Sequence, residues 1–142
     1  APPQSPLPRP PTPLLAFPKT ESQTHTSWDT VLTTQPLWTQ KLLRHVYFDT
    51  MATILKSIAT NVPLYVVSDG SATHKQMTFG WILSTTKGQR LASSHGSCAG
   101  RPSSLQAEAS GILSSSLFIM ILQSQYHCIF HQGKLGFMAD NL

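Results

Sequence analysis

Leu64-Tyr65-Val66-Val67-Ser68-Asp69-Gly70-Ser71 is the stretch that decides the fold. Four apolar residues, two of them β-branched, predict a buried strand. The run ends in Ser68, then an acid, then Gly70, the residue best suited to a sharp change of direction. A carboxylate at the end of a buried strand is held rigidly and can still face a cleft. Asp-Gly is also the commonest hairpin signal, so this pair alone does not separate a turn acid from a site. Carboxylates further along the chain make the difference.

Around that strand the period of the sequence is two. Met77–Ser84 predicts a second strand, with Met77, Phe79, Trp81 and Leu83 on one face. Thr85-Thr86-Lys87-Gly88 supplies a turn. Arg90–Ser97 predicts a third strand, more polar and nearer an edge. Three strands with short connections form an antiparallel meander. Cys98–Pro102 is then a loop.

A helix is predicted over residues 103–124. Ser103 and Gln106 have capping-box spacing, in which Gln106 reaches back to the cap. Leu105, Ala109, Ile112, Leu113, Leu117, Met120 and Ile121 form the expected apolar face, and Glu108 lies on it. A Glu facing a core needs a partner, either a cation or a basic side chain; a first-turn Glu is also a routine response to the helix dipole. Lys134–Asp140 predicts a fourth strand that again ends in an acid. Strand, helix, strand implies a crossover, so this strand lies parallel to the one ending at Asp69. Parallel strands end at the same edge, where open α/β sheets place their sites. Asp69, Glu108 and Asp140, half of the six acids in the chain, are thus expected to converge. Clustered carboxylates repel one another and suit a cage for hard divalent cations. Two such ions about 4 Å apart can activate a water and stabilise the leaving oxygen of a phosphodiester.

The rest of the chain bounds this reading. Its 142 residues allow one domain and a tail, with 40% apolar residues and only 11% charged. The net charge of +4 is compatible with a polyanionic partner and with ordinary surface basics. Residues 1–34 form a Pro/Ser/Thr-rich tail expected to be disordered, with eight of the eleven prolines in residues 1–18. A single amphipathic helix is expected over 35–61, starting at Pro36 and stopped by Asn61 and Pro63. The domain proper is 62–142. Cys98 and Cys128 are too few for a disulfide framework and fit reduced thiols, hence an intracellular location, cytoplasmic or nuclear. No secretory signal is expected. The apolar run 111–122 is read as a buried helix, too short and too serine-rich to span a membrane.

Asp69-Gly70-Ser71, the Gly80-Trp81-Ile82-Leu83 strand, Gly88, Gly96 and Gly100, Ser103-Ser104-Leu105-Gln106-Ala107-Glu108-Ala109-Ser110-Gly111-Ile112-Leu113 and Met138-Ala139-Asp140-Asn141 together resemble a ribonuclease H domain. The closest flavour is that of retroelement polyproteins, downstream of a reverse transcriptase. The resemblance covers residues 62–142 and rests on the ordered set, no single motif being specific. It implies an α/β mixed sheet and cleavage of the RNA strand of RNA–DNA hybrids. It also implies Asp69, Glu108 and Asp140 as catalytic ligands to two Mg²⁺ or Mn²⁺ ions. Lys75, Lys87, Arg90 and Arg101 are candidate phosphate contacts. Gly70 and Ser71 are placed to lie near the RNA 2′-hydroxyl. The implied partners are the hybrid and an upstream reverse transcriptase domain, with no membrane and a monomeric state. The family carries a fourth acid, a nearby His and a fifth strand further on. The chain is accordingly read as a fragment, incomplete at its C-terminus, and a catalytically inactive nucleic-acid-binding or scaffold remnant is the alternative.

Overall fold

A computed structural model describes residues 26–131 and 133–139. The expected disorder of residues 1–25 and the expected ligand Asp140 lie outside the described residues. The elements run α1 (Trp28–Thr33), α2 (Leu37–Leu42), β1 (Val46–Tyr47), α3 (Met51–Ala59), β2 (Leu64–Ala72), β3 (Met77–Thr85), β4 (Arg90–Cys98), α4 (Ser104–Gln125) and β5 (Leu135–Ala139). The fold is α/β, with a five-stranded mixed sheet in the order β1-β4-β3-β2-β5. Only the β2–β5 pair is parallel. Its crossover is α4, as strand–helix–strand requires.

β2 is longer than its apolar run. It continues through Asp69 and Gly70 to Ala72, with Asp69 opposite Gly80 and Gly70 opposite Phe79. Asp69-Gly70 is therefore not the hairpin; the turn comes later, where Thr73 N–H donates to Gln76 O at 2.8 Å. β3 buries Met77, Phe79, Trp81 and Leu83 on one face, as its alternation predicts.

The segment expected to be one helix over 35–61 is not. Leu43 caps α2, with its N–H donating to Gln40 and Thr39 carbonyls. The chain then extends, and Val46 and Tyr47 pair with Ser94 and Ser93 as an edge strand. Thr50 starts α3, its hydroxyl accepting from Thr53 N–H at 3.1 Å. The three- and four-residue spacing of apolar residues spans the break, but a β-branched and aromatic run followed by a hydroxyl cap favours strand and then a new helix. Asn61, at φ 63°, follows the α3 cap in the left-handed region, in keeping with its predicted role as a stop. The fifth strand of the sheet is thus β1, on the far side from β5. Part of the expected tail is ordered too: α1 is capped by Ser27, and Trp28 packs edge-on against Phe118, with ring centroids 5.1 Å apart.

All the helices feed one core on one face of the sheet. It joins Val31, Leu43, Ile54 and Ile58 to Val66, Trp81, Leu83, Phe118 and Leu122. Trp81 Nε1 donates to Ser114 Oγ at 2.9 Å, and Ser114 Oγ donates to Leu42 O at 2.7 Å, so one hydroxyl links sheet, crossover helix and α2. On the other face Tyr65, Val67 and Ile82 are only half-buried.

The face that α4 buries differs from the expected one. Leu105 is 73% exposed and Met120 59%, and Leu113 is exposed as well. The buried side is Ala107, Glu108, Gly111, Ser114, Ser115, Phe118, Ile119, Ile121 and Leu122. Small residues let the helix backbone come close to β2, and Ser115 Oγ donates to Gly111 and Ile112 carbonyls within the helix. At 22 residues α4 is long and apolar enough to cross a membrane by length and composition alone; half of its most apolar window is buried inside this fold.

Candidate functional site

Gly70 is where β2 and α4 touch. A Cβ there would overlap the backbone of Ala107 and Glu108 and come within 2.6 Å of Ala107 O. Only glycine permits that approach. Gly111 faces the same crossing, and a Cβ there would find Asp69 O, Gly80 O and Ser68 Cβ at 3.5 Å, ordinary contact.

The approach brings Glu108 to the strand. Glu108 is 4% exposed, and its Oε1 accepts from Gly70 N–H at 3.0 Å. Its Oε2 is buried with no hydrogen-bond partner among the described residues. An ionised carboxylate oxygen withheld from water without a donor is costly. Asp69, one residue before the amide that Glu108 holds, is exposed. β5 runs parallel beside β2 and pairs Ala139 with Ser68. The residue after Ala139 is Asp140, whose own position lies outside the described residues. Two of the three predicted acids are therefore described: Glu108 holds the amide of Gly70, the residue that follows Asp69. Among the described residues no group of three His, Cys, Asp or Glu side chains stands together.

The start of α4 is capped by Ser103, whose hydroxyl accepts from Gln106 N–H at 3.3 Å. Gln106 does not reach back to the cap. Its side-chain amide donates to Ala99 O at 3.4 Å and ties the preceding loop to the helix.

The other candidates divide by the ends of the sheet. Ala72 pairs with Met77, and Met77 with Cys98. The Lys75 turn and the Arg101 loop thus lie at the Asp69 end, and both side chains are exposed. Ser71 is exposed two residues beyond Asp69 on the same strand face. Lys87 and Arg90 belong to the hairpin that continues from Thr85, opposite Leu64, at the other end. They are remote from the two acids. Gly70 has its amide committed to Glu108, so its direct part is to admit α4 rather than to present a free donor.

One cluster has no signal in the composition of the chain. Gly80 pairs with both Asp69 and His95, so the three lie in one row across the sheet. His95 N–H donates to His45 O at 3.4 Å. The two imidazoles stack, with centroids 5.1 Å apart and planes 8° from parallel, and Tyr47 lies 5.7 Å from His95 on a 25° tilt. Period-two placement of His45 and Tyr47 becomes visible only once the segment is known to be a strand.

Compared with known proteins, the chain matches no family model, no curated protein and no solved structure.

Proposed function

We propose that this chain is a ribonuclease H-like domain of the retroelement reverse transcriptase type, a divalent-metal-dependent endonuclease acting on the RNA strand of RNA–DNA hybrids. The observation that carries this reading is Glu108. It is buried, it spends one oxygen on the Gly70 amide beside Asp69, and its other oxygen has no donor. A hard cation satisfies such an oxygen, and an all-carboxylate donor set suits Mg²⁺ or Mn²⁺. Glu108 and Asp69 would hold the ion, with Asp140 as the third ligand by resemblance. Bound there, two such ions supply an activated water and charge stabilisation at the scissile phosphate.

The residues of the chain do the rest. Gly70 N–H orients the Glu108 carboxylate. Exposed Asp69 faces the side from which a substrate arrives. Ser71 offers a hydroxyl to the 2′-hydroxyl that separates RNA from DNA. Lys75 and Arg101, at the same end of the sheet, are the phosphate contacts, fixing register without reading sequence.

The test is cleavage of an end-labelled hybrid in Mn²⁺ by the wild type beside Asp69→Asn and Glu108→Gln. Cutting confined to the RNA strand and lost in both variants supports the nuclease. Hybrid binding without cutting supports the second reading, a binding-only domain on the same sheet.

A further inference from the structure

The edge of the sheet opposite β5 carries a feature that the acids do not explain. β1 covers only Ser93 and Ser94 of β4, and beyond that β4 is itself the edge. His95 N–H points outward, to His45 O. Amides two residues apart on a strand point the same way, so Ser97 N–H also points outward, past the end of β1. A hollow of about 190 Å³ opens there, lined by Lys41, Arg44, His45, Gly96 and Ser97. Lys41 and Arg44 are exposed and form no ion pair among the described residues. Asp49, the nearest acid along the chain, lines a different hollow with Arg90 and Phe48. Two cations, an edge amide and an imidazole thus converge with no carboxylate among them.

The row across the sheet links this hollow to the acids. Residues paired directly across strands project to the same face, so Asp69 and His95 share the face that the helices leave open. Two strand steps separate them, about 10 Å at ordinary strand spacing. The residue between them is Gly80, which places no side chain in the way. His95 stands at the end of that row as the middle ring of the His45–His95–Tyr47 stack.

We propose that Lys41, Arg44, His45 and Ser97 form a phosphate-binding pocket for a nucleic-acid strand that crosses the open face of the sheet from Asp69, over Gly80, to the His95 stack. The span corresponds to about three base steps at 3.4 Å each. The cations and the edge amide take a backbone phosphate, and the stacked rings offer a flat platform at its flank. This rests on the hybrid-binding reading above and adds to it a site remote from the acids.

The experiment is anisotropy of a fluorescent RNA–DNA hybrid titrated with the full chain in EDTA, where cutting plays no part. Lys41→Ala/Arg44→Ala is compared with wild type, with His95→Ala, and with Lys87→Ala at the far end of the sheet. Circular dichroism checks folding in each; Lys41 and Arg44 are surface residues, so their loss leaves the core untouched. The double variant is expected to bind about tenfold more weakly at 0.1 M salt. Its slope of log affinity against log salt should be shallower by roughly 0.9, for the one phosphate that the pocket neutralises. His95→Ala should bind a few-fold more weakly, and Lys87→Ala like wild type. Unchanged affinity and slope in the double variant, beside a wild type that binds, would overturn the pocket and leave the hybrid-binding reading standing. An equal loss in Lys87→Ala would overturn it as well, since charge anywhere would then serve. A wild type that does not bind the hybrid would overturn both.

Discussion

Gly70 N–H donates to Glu108 Oε1 at 3.0 Å across 38 residues of sequence. The bond exists because Gly70 has no side chain: a Cβ would overlap the α4 backbone at Ala107 and Glu108. Gly70→Ala must push strand and helix apart, and the obstacle is backbone, which cannot swing aside. Overpacking of this kind costs roughly 1–3 kcal/mol. A urea melt should show that loss. It should also show a smaller loss in Gly111→Ala, where the nearest atoms lie at 3.5 Å. Equal stability of Gly70→Ala and wild type would mean that the two elements are not in this contact.

Glu108 Oε2 makes a second prediction. If a cation satisfies it, Mg²⁺ or Mn²⁺ binds the folded state preferentially, and the melting temperature rises with metal. At metal a hundredfold above Kd the linkage is about 2.7 kcal/mol, or several degrees for a domain of this size. Glu108→Gln keeps the shape and the acceptor for Gly70 but removes the charge, so its melting temperature should not respond to metal. A response equal to that of wild type would place the ion elsewhere.

Much of this arrangement is legible in the sequence, and the limits have physical causes. Strict alternation from Met77 to Leu83 identifies the buried face of β3, because period two has no other reading over that length. The parallel pairing of β2 and β5 follows from a helix between two strands. The buried face of α4 was not legible from hydrophobicity. A helix lying close on a strand selects Ala107, Gly111, Ser114 and Ser115, while Leu105, Leu113 and Met120 stay outside. Glu108 was expected on the buried face and is there, but among small residues rather than large ones. The break between Leu43 and Thr50 was hidden because helical spacing of apolar residues persists through it. Its cause is a tertiary pairing, Val46 with Ser94, which local periodicity does not encode. Trp28 lacked a role in the sequence because its partners, Phe48 and Phe118, are 20 and 90 residues away.

Ser114 carries a third prediction. Its hydroxyl accepts from Trp81 Nε1 and donates to Leu42 O, all within the core. Ser114→Ala would leave an indole N–H without its acceptor, and a buried unsatisfied group costs about 1–3 kcal/mol. Ser115→Ala is the control, since that hydroxyl only bonds carbonyls of its own helix. Chemical denaturation should show Ser114→Ala clearly less stable than Ser115→Ala. The reverse order would mean that the Trp81–Ser114–Leu42 chain does not hold α2 to the sheet.

Cys128 separates the chain's two thiols. Burial pushes its pKa up from 9.0 to about 11, because the thiolate is the form that suffers from lost water. The thiolate is the nucleophile, so iodoacetamide should modify Cys128 slowly at pH 8 in the native protein. The rate should climb toward pH 11. The same shift sets a stability trend. Below pH 9 the thiol is neutral in both folded and unfolded chains, and its contribution is fully present. Between about pH 9 and 11 the unfolded chain ionises while the folded one does not, so stability falls as pH rises. Cys128→Ser removes that titration. Wild type should therefore lose more stability than Cys128→Ser between pH 8.5 and 10.5, read from urea midpoints at each pH. Parallel decline of the two proteins would show that Cys128 is as accessible to water in the folded chain as in the unfolded one. That outcome would contradict its position beside α3 and the end of α4.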